Sequence, residues 1–164
     1  MNKKEYKTNN NIVYISKYHV IWCVKYRRQL LVGEIEQRLK EIIHSFVNEV
    51  TSFEIIALET DKDHVHLLCS IDPQYGINKL VKLLKGKSSF ILRNEFPELR
   101  TKLPTLWTNS YFVATNGGVP IATMKAYVEN QQTSQRPEQQ QKWLEFAKLK
   151  RCNSESKTVP LKRS

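Results

Sequence analysis

Thr60-Asp61-Lys62-Asp63-His64-Val65-His66-Leu67-Leu68-Cys69-Ser70-Ile71 is the stretch whose reading decides the fold. From His64 onward it is short, apolar and rich in branched side chains, the composition of a β-strand. Successive strand side chains point to opposite faces, so Val65, Leu67, Cys69 and Ile71 share one face and His64, His66, Leu68 and Ser70 the other. Upstream, Phe53 to Thr60 is a second strand-like run. Asp61-Lys62-Asp63 between the two makes a tight turn, and the pair reads as an antiparallel hairpin. The two imidazoles stand at i and i+2, about 7 Å apart at Cα. That spacing lets both rings converge on one divalent ion, although two histidines on a solvated sheet face would leave the same pattern. Two ligands do not complete a site, so at least one more has to come from elsewhere in the chain.

Working outward toward the N-terminus, residues 34–50 carry Ile35, Leu39, Ile42, Ile43, Phe46, Val47 and Val50 on one stripe at helical spacing, preceded by Gly33. His44 lies off that stripe, on the surface side. Before the helix, Tyr14 to Tyr26 alternates like a strand, with Tyr14, Tyr18, Val20, Trp22 and Val24 on one face. Ile15, Lys17, His19, Ile21 and Cys23 take the other face, where His19 reads as a structural polar residue. The strand runs into Lys25-Tyr26-Arg27-Arg28, a basic cluster around an aromatic ring, suited to phosphates and to stacking a base but equally to a solvated turn. Residues 1–12 read as a mobile lead-in.

Toward the C-terminus, Asp72-Pro73 ends the histidine strand. A second helix follows from about Gly76 to Phe96, with Ile77, Leu80, Val81, Leu84, Ile91 and Leu92 inward and Lys79, Lys82, Lys85, Lys87 and Arg93 available to a polyanion. Residues 79–102 hold seven basic and two acidic side chains, a net +5. Gly86-Lys87-Ser88 is not a phosphate loop, since position 81, where that motif needs glycine, is Val. Leu103 to Trp107 is a loop and Tyr111 to Thr115 a fourth strand. Gly117 and Gly118 then form a permissive joint before Pro120 opens a third helix, to about Gln135. On it Tyr127 and Gln131 lie one turn apart. From Arg136 the pattern dissolves, and residues 142–164 are again net +5.

Strand–helix–strand–strand–helix–strand is the order of an α+β, ferredoxin-like or RNA-recognition-like fold. It predicts a four-stranded antiparallel sheet with two helices on one face and the His64/His66 pair on the free face. A mobile helix carrying Tyr127 hangs from the glycine joint. Residues 1–136 form one domain and 137–164 a basic C-terminal helix and tail.

Composition bounds the function. The 164 residues are 40% hydrophobic and 26% charged, ordinary for a globular protein, but 26 Lys+Arg against 16 Asp+Glu give a formal +10. The pI near 9.6 points to a polyanionic partner, with nucleic acid ahead of a membrane surface. No long apolar run and no apolar N-terminal leader is visible, so neither membrane span nor signal peptide is expected, and the location reads as cytoplasmic. Cys23, Cys69 and Cys152 are odd in number and widely spaced, with no CxxC pair, which fits free thiols in a reducing compartment rather than a zinc site.

Taken in order, Tyr18-His19, Trp22, Lys25-Tyr26-Arg27-Arg28, Thr60-Asp61-Lys62-Asp63-His64-Val65-His66 and Tyr127-Val128-Glu129-Asn130-Gln131 resemble the small single-tyrosine HUH transposases of bacterial insertion sequences. HUH denotes His-hydrophobic-His, here His64-Val65-His66, and the resemblance spans roughly residues 10–136. It implies a divalent metal, Mg²⁺ or Mn²⁺, held by His64, His66 and Gln131, with Tyr127 as nucleophile. It also implies a homodimer that exchanges its tyrosine helices, and single-stranded DNA with hairpins at the transposon ends as substrate. The chemistry is coherent: a tyrosine attacking a DNA phosphate gives a 5′-phosphotyrosine and a free 3′-OH, and a cation polarises the scissile phosphate. Two rivals stand beside it. One is a domesticated relative that cuts host hairpin repeats. The other is a non-catalytic single-stranded nucleic-acid-binding domain, which leaves His64, His66, Tyr127 and Gln131 without a task.

Overall fold

A computed structural model of the chain describes residues 6–50 and 52–115. All of them fall in one compact unit, Met1–Gln132. The expected third helix with Tyr127 and Gln131, the Gly117-Gly118 joint and the segment 137–164 lie outside the described residues.

The elements run β1 (Lys7–Asn9), β2 (Ile12–Tyr14), β3 (Lys17–Cys23), α1 (Glu34–Glu49), β4 (Phe53–Asp61), β5 (His64–Ile71), α2 (Ile77–Glu95), α3 (Glu98–Lys102) and β6 (Phe112–Thr115). The main sheet has the order β4-β5-β3-β6, antiparallel throughout. This is the expected α+β architecture: β3 and β5 sit centrally, and each helix crosses over to a strand beyond its neighbour. Trp22, Leu39, Ile43, Phe46, Leu67, Leu80, Leu84 and Leu92 are fully buried in one core between the sheet and the helices, together with Val65, Cys69 and Ile71. Among the described residues no helix is long and apolar enough to cross a membrane.

Three details differ from the expectation. First, the predicted strand from Tyr14 to Tyr26 is broken at both ends. Residues 7–14 form their own hairpin rather than a mobile lead-in, antiparallel with Thr8 opposite Val13. It is tied down by Lys7–Glu54 and by Asn9 donating to Asp72, contacts between residues too far apart in sequence for any local pattern to reveal. At the other end Val24 still bridges Trp107, but the backbone then turns left-handed at Tyr26 (φ 57°) and Arg27 (φ 53°). Second, the sheet face expected to be free is buried, with His64, His66, Leu68 and Ser70 all shielded from solvent. Leu68 packs there with Ala57 and Ile56 in a small second cluster. Third, a short helix, α3, follows directly after Pro97, which stands at its N-cap, and it buries Leu99.

A β-bulge in β4 sets which of its side chains meet which face. Ile55 pairs with Cys69 but Ala57 already pairs with Leu68, so Ile56 is an extra residue. Before the bulge Phe53 and Ile55 face the helices; after it Leu58 and Thr60 do, and Thr60 reaches Glu36 of α1 with its hydroxyl. Glu59 and Asp61 are thereby placed opposite His66 and His64 on the second face.

Candidate functional site

The site is built on β5 and its two flanking strands. Cross-strand pairing puts Cys23 and Asp61 on either side of His64, and Ile21 and Glu59 on either side of His66. The two imidazole centroids are 4.7 Å apart at 68°. The expected pair is therefore brought together, on a buried face.

Each ring has one nitrogen engaged. His64 Nδ1 lies 2.5 Å from Asp63 Oδ1, and the second carboxylate oxygen of Asp63 accepts from Arg27 Nε at 2.8 Å. Burial alone would raise Asp63, but the hydrogen bonds from His64 and Arg27 prevail and hold it down at about 2. Asp63 is thus an acceptor only and His64 must donate to it through Nδ1, so that in the neutral ring the lone pair stands on Nε2. His66 Nδ1 lies 3.3 Å from His19 Nε2. Burial pulls His66 down to about 3, with the neighbouring His64 and His19 adding to it, and burial pulls His19 down to about 4, so both rings are neutral at physiological pH. His66 Nε2 is buried without a hydrogen-bond partner among the described residues. A buried polar atom in that state calls for an explanation, and a metal ligand supplies one.

These observations fit a cation. Neutral imidazole nitrogens with free lone pairs are ligands for divalent transition ions. A second, overlapping set is also present: ligand atoms of Asp61, Asp63 and His64 lie within 4.8 Å of one another. Both oxygens of Asp63 are already in use, and Asp61 Oδ1 accepts from the Lys62 backbone at 2.7 Å, which leaves the histidine pair the better-prepared donor set. Gln131 and Tyr127 lie outside the described residues.

The basic cluster is joined to this site through the backbone. Val24 N–H donates to Asp63 O (2.8 Å) and Leu31 N–H to Lys62 O (2.9 Å), so the 24–31 loop is laced onto the turn before His64. Tyr26 stands on it 53% exposed, with the Lys25 ammonium 5.3 Å from its ring centroid, and Arg28 is exposed beside it. Arg27 points inward to Asp63 instead. On α2, Lys79 and Lys82 are exposed. Lys85 donates to the carbonyls of Thr108 (2.6 Å), Ser110 (3.1 Å) and Asn109 (3.3 Å), and burial lowers it to about 8. Lys87 pairs with Glu49, and Arg93 donates to Pro104 O. Lys85, Lys87 and Arg93 therefore stitch the fold with the same donors the sequence offers to phosphate.

The sequence alone did not bring out Asp63, Arg27 and His19 as parts of the site. Asp63 beside His64 carried a faint signal, as did His19 on the strand face shared with Cys23; Arg27 carried none that separates it from Arg28.

Comparison with known proteins agrees with this geometry. Residues 12–131 match the family model described as transposase IS200 like. The ISDra2 transposase TnpA of Deinococcus radiodurans is 41% identical over 129 residues, 77% of this chain and 91% of that protein. The Salmonella typhimurium transposase for insertion sequence element IS200 is 32% identical over 117 residues, 70% of this chain and 76% of its own length. Among solved structures, a crystal structure ascribed to a transposase of Deinococcus radiodurans R1 superposes with a TM-score of 0.61 at 39% identity, covering 76% of this chain and 97% of that one. A REP-associated tyrosine transposase bound to a REP hairpin shares the fold at 15% identity, with a TM-score of 0.51 over 74% of this chain and 68% of the other. The histidine pair on its central strand, the fold that carries it and these relatives together place the chain in the IS200-like transposase family.

Proposed function

We propose that the chain cleaves and rejoins single-stranded DNA at insertion-sequence ends through Tyr127, with a divalent cation, Mg²⁺ or Mn²⁺, held by His64, His66 and Gln131. The observation that carries this reading is His66 Nε2, buried and unpartnered among the described residues beside a His64 whose tautomer is fixed by Asp63. A cation held there would supply Lewis-acid polarisation of a scissile phosphate. The Tyr127 oxygen gives up its proton and forms the bond to phosphorus as the bond to the 3′ oxygen breaks and that oxygen takes up a proton, giving a 5′-phosphotyrosine and a free 3′-OH. The number of phosphoester bonds is conserved, so the reverse attack rejoins strands without ATP.

DNA contact falls to the exposed Tyr26 and Arg28 and the half-buried Lys25 on the loop, and to the exposed Lys79 and Lys82 on α2. The solved relative that carries a REP hairpin shares this fold, which supports folded single strands as the substrate form. Gly117 and Gly118 would let the Tyr127 helix complete its partner's site in a homodimer.

The test uses the full chain and single-stranded DNA from the flanks of its own gene. Wild type with Mn²⁺ gives a covalent adduct on a denaturing gel, and Tyr127→Phe gives none while still binding hairpins. An adduct in Tyr127→Phe removes the tyrosine assignment. For the dimer, mixing Tyr127→Phe with His64→Ala chains restores cleavage if sites form between subunits and leaves it absent if each subunit completes its own.

A further inference from the structure

The two histidines of β5 are held by different kinds of neighbour. His64 donates to a carboxylate that is itself fixed by Arg27. His66 instead meets another imidazole, His19, from β3; the rings lie edge to edge and nearly coplanar, with centroids 5.5 Å apart and 22° between their planes. The antiparallel register produces this contact, since Ile21 pairs with His66 and Leu68 with His19, leaving the two histidines on neighbouring diagonal positions of one face.

A hydrogen bond between His19 Nε2 and His66 Nδ1 holds one proton, and either ring can own it. If His19 owns it, His66 carries its own hydrogen on Nε2 and that nitrogen ligates nothing. If His66 owns it, Nε2 is a lone pair. That atom is the one left buried with no partner among the described residues. The second arrangement explains it and the first does not.

We propose that His19 is the positioning residue of His66: its Nε2 accepts the His66 Nδ1 proton, which fixes both the ring orientation and the Nε2 lone pair for a divalent cation. This rests on the proposed metal reading of His64 and His66. Asp63 does the same for His64, but with a difference in character. A carboxylate makes its histidine a more basic ligand, whereas a neutral imidazole orients without adding charge. The two ligands are thereby unequal: one tuned by an anion, the other by a neutral ring on the neighbouring strand.

Mn²⁺ alone, titrated into the full chain and followed by the EPR signal of the free ion, tests this without DNA. His19→Leu should weaken Mn²⁺ binding roughly 10- to 100-fold. His19→Gln, whose side-chain carbonyl can accept the same proton, should recover most of it. Long-range ¹H–¹⁵N NMR of the metal-free wild type should find His66 protonated on Nδ1, a measurement that needs no variant to fold. Melting curves without metal check each variant. Wild-type affinity in a folded His19→Leu chain, equal losses in the Gln and Leu variants, or an Nε2-protonated His66 in wild type each overturn the role of His19. If instead wild type binds no Mn²⁺, or His66→Ala binds as wild type does, the metal reading itself falls, and the two failures are told apart.

Discussion

Tyr26 and Arg27 form a left-handed pair that ordinary side chains avoid, and replacing Tyr26 measures what that geometry costs. Tyr26 has φ 57° and ψ 19°, and it and Arg27 are the middle of a turn closed by Arg28 N–H to Lys25 O. Two positive φ values in succession are the signature of a turn that normally uses Asn-Gly. A Cβ in this region costs about 1–2 kcal/mol, while glycine loses about 0.5–1 kcal/mol more backbone entropy than alanine on folding. The ring itself contributes little to stability: it is 53% exposed, with a cation–π contact to Lys25 worth about 0.5 kcal/mol at an exposed site. Tyr26→Gly should therefore be as stable as wild type or up to about 1 kcal/mol more stable, since the relief of backbone strain outweighs the entropy term. Tyr26→Ala keeps the Cβ and loses the ring, so glycine should exceed alanine by about 0.5–1 kcal/mol, the reverse of their usual order. Urea unfolding followed by the fluorescence of buried Trp22 and Trp107 reads the difference as a shift in midpoint at constant slope. Both variants should also bind single-stranded DNA more weakly, by about 1–3 kcal/mol for one lost stacking contact. An alanine variant at least as stable as glycine would refute the strain argument. Wild-type DNA affinity in both would refute a stacking role for the ring.

Ser88→Ala strands the buried Trp107 indole N–H, which now donates to Ser88 Oγ at 3.0 Å; it should cost about 1–3 kcal/mol in the same urea experiment, and a change under 0.5 kcal/mol would mean the bond is replaceable. Cys23 and Cys69 are free and buried, and burial pushes their thiols up to about 11 and about 12, so peptide mapping after native iodoacetamide treatment should find both unmodified and denatured protein fully modified at both. In EDTA, stability should fall as pH drops from 6.5 toward 4: unfolded His19 and His66 take up protons there, whereas the folded rings stay neutral down to about 4 and about 3, so the unfolded chain binds more protons and acid favours it. The loss should be on the order of a few kcal/mol over that range, and a urea midpoint that does not move with pH would contradict the burial of neutral rings.

The order of elements was legible because each long segment states its own period. Ile35 to Val50 repeats at helical spacing and Val65 to Ile71 alternates, and both survive in the structure with their ends moved by a residue or so. The histidine pair was legible for the same reason. What the sequence hid depends on the third dimension. The hairpin of β1 and β2 is pinned by Glu54 and Asp72, over 40 residues away. Lys85 and Arg93 look like phosphate ligands until their carbonyl partners in the 103–110 loop are seen. Arg27 and Arg28 are adjacent and chemically identical, yet the left-handed turn sends one to Asp63 and leaves the other exposed. The burial of the histidine face could not be read either, because nothing in an alternating strand says what lies over its polar side.

The extra residue in β4 makes the chemistry of this sheet a matter of counting. With Ile56 looped out of the ladder, Leu58 and Thr60 meet the helices, while Glu59 and Asp61 stand opposite the two histidines. If Ile56 took a place in the ladder instead of being looped out, every later side chain of the strand would change face, whereas deleting it would leave Ala57 opposite Leu68 and Leu58 opposite Leu67. In a ladder that included Ile56, two carboxylates would turn toward a dry core and two core side chains toward the histidines, and Thr60 would let go of Glu36. The bulge thus keeps the polarity of the wall beside the candidate metal ligands although β4 carries one residue more than the stretch of β5 it pairs with. The looping-out of one residue, more than the length of the strand, is what holds these faces in place.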